Sequence, residues 1–227
     1  MDRNLARDSD KLPAISALAS QYSGSGLGMY LAGCWGNYLL EMISWYTAYS
    51  PDGPSGHRRP SSYIAPSWSW ASVVGAIDWN FSGFIPPSGL PRFVAEIKEA
   101  ECVLASNDRF GPVKSGHLII SSPYVVSKIQ IKAGEKPKID HEDLLSYTLD
   151  VDPVDGQYEV RDGQEVTCLF LNELEDAEWE GDLIPAILIK QCDSTSASYV
   201  RVGRGIVPFP EALEQLLPLP IGVFKVM

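Results

Sequence analysis

Beyond residue 62 the chain becomes a succession of short β-branched and aromatic runs separated by Gly, Pro, Asn and Asp, and no other feature limits the possible folds as much. Punctuation of that kind belongs to strands and turns. It predicts strands at 68–74, 93–104, 117–121, 124–131, 147–151, 166–171, 184–191, 198–206 and 221–226. Within 124–131, Val125, Ser127, Ile129 and Ile131 alternate with Val126, Lys128 and Gln130, as in a strand with one buried face. Many short strands with few helices between them point to an antiparallel barrel or sandwich.

The first fifty residues read differently. Asp10 is a candidate N-cap for a helix running through Ile15 and Leu18, with Pro13 tolerated in the first turn. A Ser/Gly linker follows at 23–28. Leu31, Cys34, Tyr38, Met42, Trp45 and Tyr49 then recur at spacings of three and four, which predicts a helix over 29–49. Trp35, Leu39 and Ile43 fall on its other side, so it should be buried on both. Residues 50–62, carrying Arg58 and Arg59, read as a loop. The run 173–182, with six carboxylates, reads as an exposed loop, and 209–217 as one more short helix. The expected fold is α+β in a single domain over 1–227: N-terminal helices (1–50) packed on an antiparallel β-barrel-like sheet (63–227).

Charge narrows the partners. A formal net charge of -11 disfavours a nucleic acid, whose binding draws on clustered Lys and Arg, and disfavours an anionic membrane surface. The apolar stretches are too short for a membrane span. The start Met1-Asp2-Arg3-Asn4 lacks the apolar run of a secretory signal. Cys34, Cys102, Cys168 and Cys192 are scattered without a C-x-x-C pair, which fits free thiols in a reducing, cytoplasmic compartment. No cofactor or metal motif is present. Gly24, Gly26 and Gly28 lack the strand and spacing of a phosphate loop. His141-Glu142-Asp143 are adjacent and have no second cluster to complete an ion site. The acidic run lacks the ligand spacing of a calcium loop.

Three motifs could carry chemistry. In Ser67-Trp68-Ser69-Trp70, alternation would place both indoles on one strand face, either as an aromatic wall for a flat apolar ligand or, as is commoner for tryptophan, as core. Ala32-Gly33-Cys34-Trp35-Gly36 has the outline of a nucleophile elbow, but Cys34 falls within the helical pattern and none of His57, His117 or His141 has the context of a partner base. Arg201 is a cation inside an apolar strand. It points either into a cavity, to bind a carbonyl or carboxylate, or to solvent.

The blocks Asp10-Lys11-Leu12-Pro13-Ala14-Ile15-Ser16-Ala17-Leu18-Ala19, Tyr30-Leu31-Ala32-Gly33-Cys34-Trp35, Trp45 and Ala65-Pro66-Ser67-Trp68-Ser69-Trp70-Ala71-Ser72 occur in an order that resembles fungal heterokaryon-incompatibility (HET) domain proteins. They look like the region that follows the HET domain. Phe110-Gly111-Pro112-Val113-Lys114-Ser115-Gly116 and Tyr199-Val200-Arg201-Val202-Gly203 resemble later landmarks of that region. The HET domain itself is missing, and Cys34 stands where an aliphatic residue is more usual. The resemblance implies a free-standing tail. It also implies a place in secondary metabolism, because some truncated HET-like proteins of fungal natural-product clusters are pericyclases, the norbornene-forming cyclase of sordarin-type biosynthesis among them.

Two functions follow as expectations. One is a cofactor-free Diels–Alder cyclase that folds an apolar terpenoid or polyketide, with Trp45, Trp68, Trp70, Tyr199, Trp35 and Met42 forming the pocket and Arg201, Ser69 or Tyr63 donating a hydrogen bond. That expectation requires a hollow between the rings. The other is a non-enzymatic interaction or regulatory module inherited from HET proteins, with an acidic surface for a basic partner.

Overall fold

The computed structural model describes residues 5, 7–48, 56–79, 94–132, 137–140, 146–153, 159–171, 184–193, 195–207 and 218–227. The expected elements at 173–182 and 209–217, and the His141-Glu142-Asp143 cluster, lie outside them.

The first helix, α1 (Lys11–Gln21), starts where the sequence indicates, after a 3-10 turn at Asp8–Asp10. Asp10 makes no capping bond, because its backbone is already helical (φ -83°, ψ -4°). Leu12 and Ala19 bury one side of α1.

The helix expected over 29–49 does not form. In its place are an antiparallel hairpin of β1 (Tyr30–Leu31) and β2 (Cys34–Trp35), a 3-10 turn at Gly36–Tyr38, the four-residue α2 (Leu39–Met42) and β3 (Tyr46–Thr47). Leu31 pairs with Cys34, leaving Ala32 (φ 47°) and Gly33 (φ 93°) as the two loop residues. Two successive positive φ values are what a two-residue hairpin turn of right-handed twist demands. Gly33 is also required sterically, since a Cβ there would lie 2.6 Å from the Trp70 Nε1.

The run 68–74 is not a strand either. Residues 67–69 turn, and Trp70–Ser72 is a 3-10 turn capped by the Ser69 hydroxyl, which accepts from the Ala71 amide. Val74 bridges to Arg58, and β4 (Ile77–Asp78) pairs with β3.

The remaining strands follow the sequence pattern, except β7, which is not among the expected strands. They are β5 (Glu96–Leu104), β6 (Val113–Gln130), β7 (Lys138–Ile139), β8 (Ser146–Leu149), β9 (Glu165–Phe170), β10 (Ile184–Gln191), β11 (Ser198–Val207) and β12 (Ile221–Val226). They build one eight-stranded, mostly antiparallel sheet in the order β10-β9-β6-β12-β11-β8, with β5 and β7 also on β6 and with β11 also pairing β10. Among the described residues the one parallel pair is β11 with β12. The fold is therefore α+β, with little helix among the described residues beside a large sheet.

Two expected strands, 117–121 and 124–131, prove to be one 18-residue strand, β6. Pro123 falls where β6 changes partner from β5 to β9, so its missing N–H coincides with a break in the ladder. Strands β9 and β10 are buried on both faces. Leu169, Ile187 and Ile189 pack with Leu118, Ile120, Phe224 and the N-terminal Leu12, Leu31, Cys34, Ile43 and Trp68. Cys168, Phe170, Ala186 and Leu188 pack on the other side with Ile129, Ile139, Val202 and Val207.

Candidate functional site

Arg201 points inward, but onto protein groups. Its side chain has no exposed surface, and its guanidinium lies 3.6 Å from the Trp45 ring centroid. Nε donates to Asp150 Oδ2 at 3.1 Å and Nη2 to Asp150 Oδ1 at 3.0 Å. Nη1 donates to the Ile43 carbonyl and Nη2 to that of Trp45. Burial pulls the guanidinium below its usual range, and the Asp150 charge opposes that shift. Arg59 extends the network, donating to Glu159 at 3.2 Å, to Ser72 Oγ at 2.9 Å and to the Arg201 carbonyl at 2.8 Å. Arg201 thus binds a carboxylate and carbonyls as the sequence allowed, but they belong to the chain itself.

The bulge in β11 explains the inward turn. Gly203 opposes Leu188 and Arg201 opposes Ile189, so Val202 is an extra residue. One extra residue inverts side-chain parity along a strand. Arg201 and Arg204, three apart, therefore both reach the β3 segment, stacking on Trp45 and Tyr46.

The tryptophans expected as a wall are core or its edge. Trp45 and Trp68 have no exposed surface, and the Trp45 Nε1 donates to the Trp68 carbonyl at 2.9 Å. Trp70 is half-buried, donates from Nε1 to the Gly33 carbonyl at 3.0 Å and carries the Lys11 ammonium 5.7 Å from its ring centroid. The buried Ser69 hydroxyl donates to the Ala32 carbonyl at 2.6 Å while accepting from Ala71, so it has no free donor for a ligand. Trp35 packs edge-on with Tyr30 at 5.1 Å, Tyr199 packs edge-on with Phe224 at 5.4 Å, and the Met42 sulfur accepts from the Trp35 amide at 3.0 Å. The blocks that carry the family resemblance therefore meet in space: 10–19 through Lys11, 30–35 through its turn carbonyls, 65–72 through its indoles and serine, and 199–203 through Arg201.

Of the expected site residues, Tyr63 alone lines a cavity that the described residues enclose. This is an open groove of about 350 Å³. Ile64, Ala65, Val200 and Met227 supply its apolar wall, and Arg59, Glu159 and Ser61, Ser62, Ser67 and Ser72 its polar groups. Tyr63 is half exposed there. Partial burial, aided by Cys102, raises its phenol well above the usual range. Ser67 fixes one side, with its hydroxyl accepting from the Arg201 amide at 2.9 Å and donating to the Met227 main-chain oxygen. Sequence reasoning missed this site because residues 59–72, 159, 200 and 227 meet only through long-range pairing. The Arg58-Arg59 pair in an otherwise small-residue segment was the available signal.

Cys34 is no elbow nucleophile. It sits in a hairpin strand, fully buried, with its thiol pushed up to about 12 by burial. The buried His57 bonds elsewhere, its Nε2 lying 2.8 Å from the Ala76 carbonyl. Alkylation of the native protein with iodoacetamide at pH 8 is expected to label the exposed Cys192 first and to spare Cys34 and Cys168 until denaturant is added. Peptide mapping reads the order, and early Cys34 labelling would restore it as a nucleophile.

Glu99, Glu101 and His117 are the described residues that could hold a metal. Glu101 lies opposite His117 across β5 and β6, and the ligand atoms of all three fall within 4.8 Å of one another. An imidazole with two carboxylates suits Zn²⁺ or Mn²⁺. The 2.7 Å contact between His117 Nε2 and Glu99 Oε1 also satisfies the group without an ion. No described helix is long and apolar enough to cross a membrane. Comparison with protein-family models, with curated proteins and with solved structures gave no match.

Proposed function

We propose that this chain binds a small apolar molecule in the groove beside Tyr63 and closes a ring in it without a cofactor. The groove carries the proposal. Its volume of about 350 Å³ falls within the range of small-ligand sites, roughly 300–1,000 Å³. Most of its wall surface is apolar, a single phenol stands in it, and Arg59, Glu159 and four serines supply polar groups. The raised Tyr63 phenol keeps its O–H at assay pH and can donate to a conjugated carbonyl, which lowers the electronic barrier of a cycloaddition. Holding a flexible chain folded supplies the entropic part. Trp45 and Trp68 are wholly buried and contribute to the packing alone.

The quoted residue blocks support placing the chain beside the C-terminal region of HET proteins, and their convergence in space suits a structural motif. The pairing circuit β9-β6-β12-β11-β10 supports reading the sheet as barrel-like. A cytoplasmic location is part of the same proposal.

The test incubates the protein with linear precursors that bear a diene and a conjugated ketone, with binding measured separately by equilibrium dialysis. Cyclised product is expected above the buffer-only rate. Tyr63→Phe should slow turnover about tenfold, the loss of one hydrogen bond worth about 1.4 kcal/mol, at unchanged melting temperature. Cyclisation at the buffer rate with every precursor overturns the catalytic reading. The interaction module would then stand, favoured by Ile221 and Val223, 73% and 65% exposed on the outer face of β12.

A further inference from the structure

Arg204 differs from its neighbour Arg201 in one respect that folding does not explain. Both are buried, Arg204 to 5% exposure, and both stack on an aromatic ring, Arg204 with its guanidinium carbon 4.7 Å from the Tyr46 centroid. Arg201 spends its donors on Asp150 and two carbonyls. Arg204 Nε is sealed from solvent with no partner. Among the described residues its terminal nitrogens have no hydrogen-bond partner either, and they are not among the sealed polar atoms. Burying a cation without a counter-charge is among the costliest arrangements a fold can hold.

We propose that the Arg204 guanidinium, held flat by the Tyr46 ring, is a binding site for the carboxylate of a small monoanionic ligand. The guanidinium fork matches a planar carboxylate bidentately. Backbone pairing of Arg204 with Ile187 on one side and Thr148 on the other fixes the position of the fork. Asp78 selects the charge of the guest. It pairs with Tyr46 across β3 and β4, and its carboxylate accepts from the Tyr46 hydroxyl at 3.4 Å. It forms no ion pair with Arg204, but its field reaches it and repels a dianion more than a monoanion. Burial and the nearby Arg201 charge, opposed by Tyr46 and Asp78, bring the guanidinium down to about 10. Arg204 does not line the Tyr63 groove, so this site stands or falls separately from the proposed cyclase.

The probe is acetate, exchanged for chloride at constant ionic strength while the melting temperature of the whole protein is followed, with phosphate as a parallel arm. Acetate at 100 mM, an amount chosen on the order of twenty times a weak site's dissociation constant, is expected to raise the midpoint by about 4 °C. Arg204→Gln should abolish the rise. Tyr46→Leu should weaken acetate at least fivefold by ligand-observed NMR, which serves also if Arg204→Gln fails to fold. An equal midpoint in acetate and chloride, a rise retained by Arg204→Gln, or a larger rise with phosphate overturns the proposal.

Discussion

Asp150→Ala is expected to destabilise the protein by about 3–5 kcal/mol, which for a chain of this size lowers the melting temperature by on the order of 10 °C. Asp150 is 1% exposed and neutralises Arg201, which is wholly buried. Removing the carboxylate leaves the guanidinium in the core with two carbonyls and the π face of Trp45, none of which carries a full negative charge. High salt should not restore the loss, because screening acts on solvent-exposed charge. The paired replacement Asp150→Leu with Arg201→Met separates the two contributions. Exchanging a buried ion pair for apolar groups of similar volume is often nearly neutral, so the double variant should be more stable than Asp150→Ala alone. Urea denaturation of the three proteins checks this. A double variant as unstable as the single one would show that the carbonyl bonds of Arg201, and not its charge pairing, secure the β3 segment.

Trp68→Ala separates core from ligand wall. A fully buried indole with its carbonyl bonded to Trp45 belongs to the packing, and its loss should cost about 3–5 kcal/mol. A wall residue would behave in the opposite way, with stability nearly kept and ligand affinity lost. The buried Trp68 Nε1 has no partner, so Trp68→Phe should recover most of the stability, since no hydrogen bond is forfeited. Thermal melts of both variants, read beside equilibrium dialysis with an apolar guest, decide between the two roles.

The strands were legible because their signal is local. The sequence bounds of β10 and β12, 184–191 and 221–226, coincide with the structure, since alternation and turn residues mark both ends. The region 29–49 misled for a physical reason. Spacings of three and four arise on a helix, but a hairpin, a 3-10 turn and one helical turn in succession reproduce them. Gly33 and Gly36 were the signs against a helix, because each breaks it and one holds a positive φ. In the SWSW run the serines decided the conformation. Ser69 caps a 3-10 turn, a competing use of its hydroxyl that alternation ignores. The direction of Arg201 depends on a bulge defined by the partner strand, and the groove depends on residues more than a hundred positions apart. Neither leaves a trace in the local pattern.

The placement of β12 has a consequence for assembly. Residues 118–123 of β6 and 198–199 of β11 are joined through β12, so neither strand has its full set of neighbours until 221–226 has been made. Loop closure across about a hundred residues is slow to nucleate and is rewarded only when the last strand docks. During synthesis the earlier strands must therefore wait with part of their backbone unpaired until 221–226 is made.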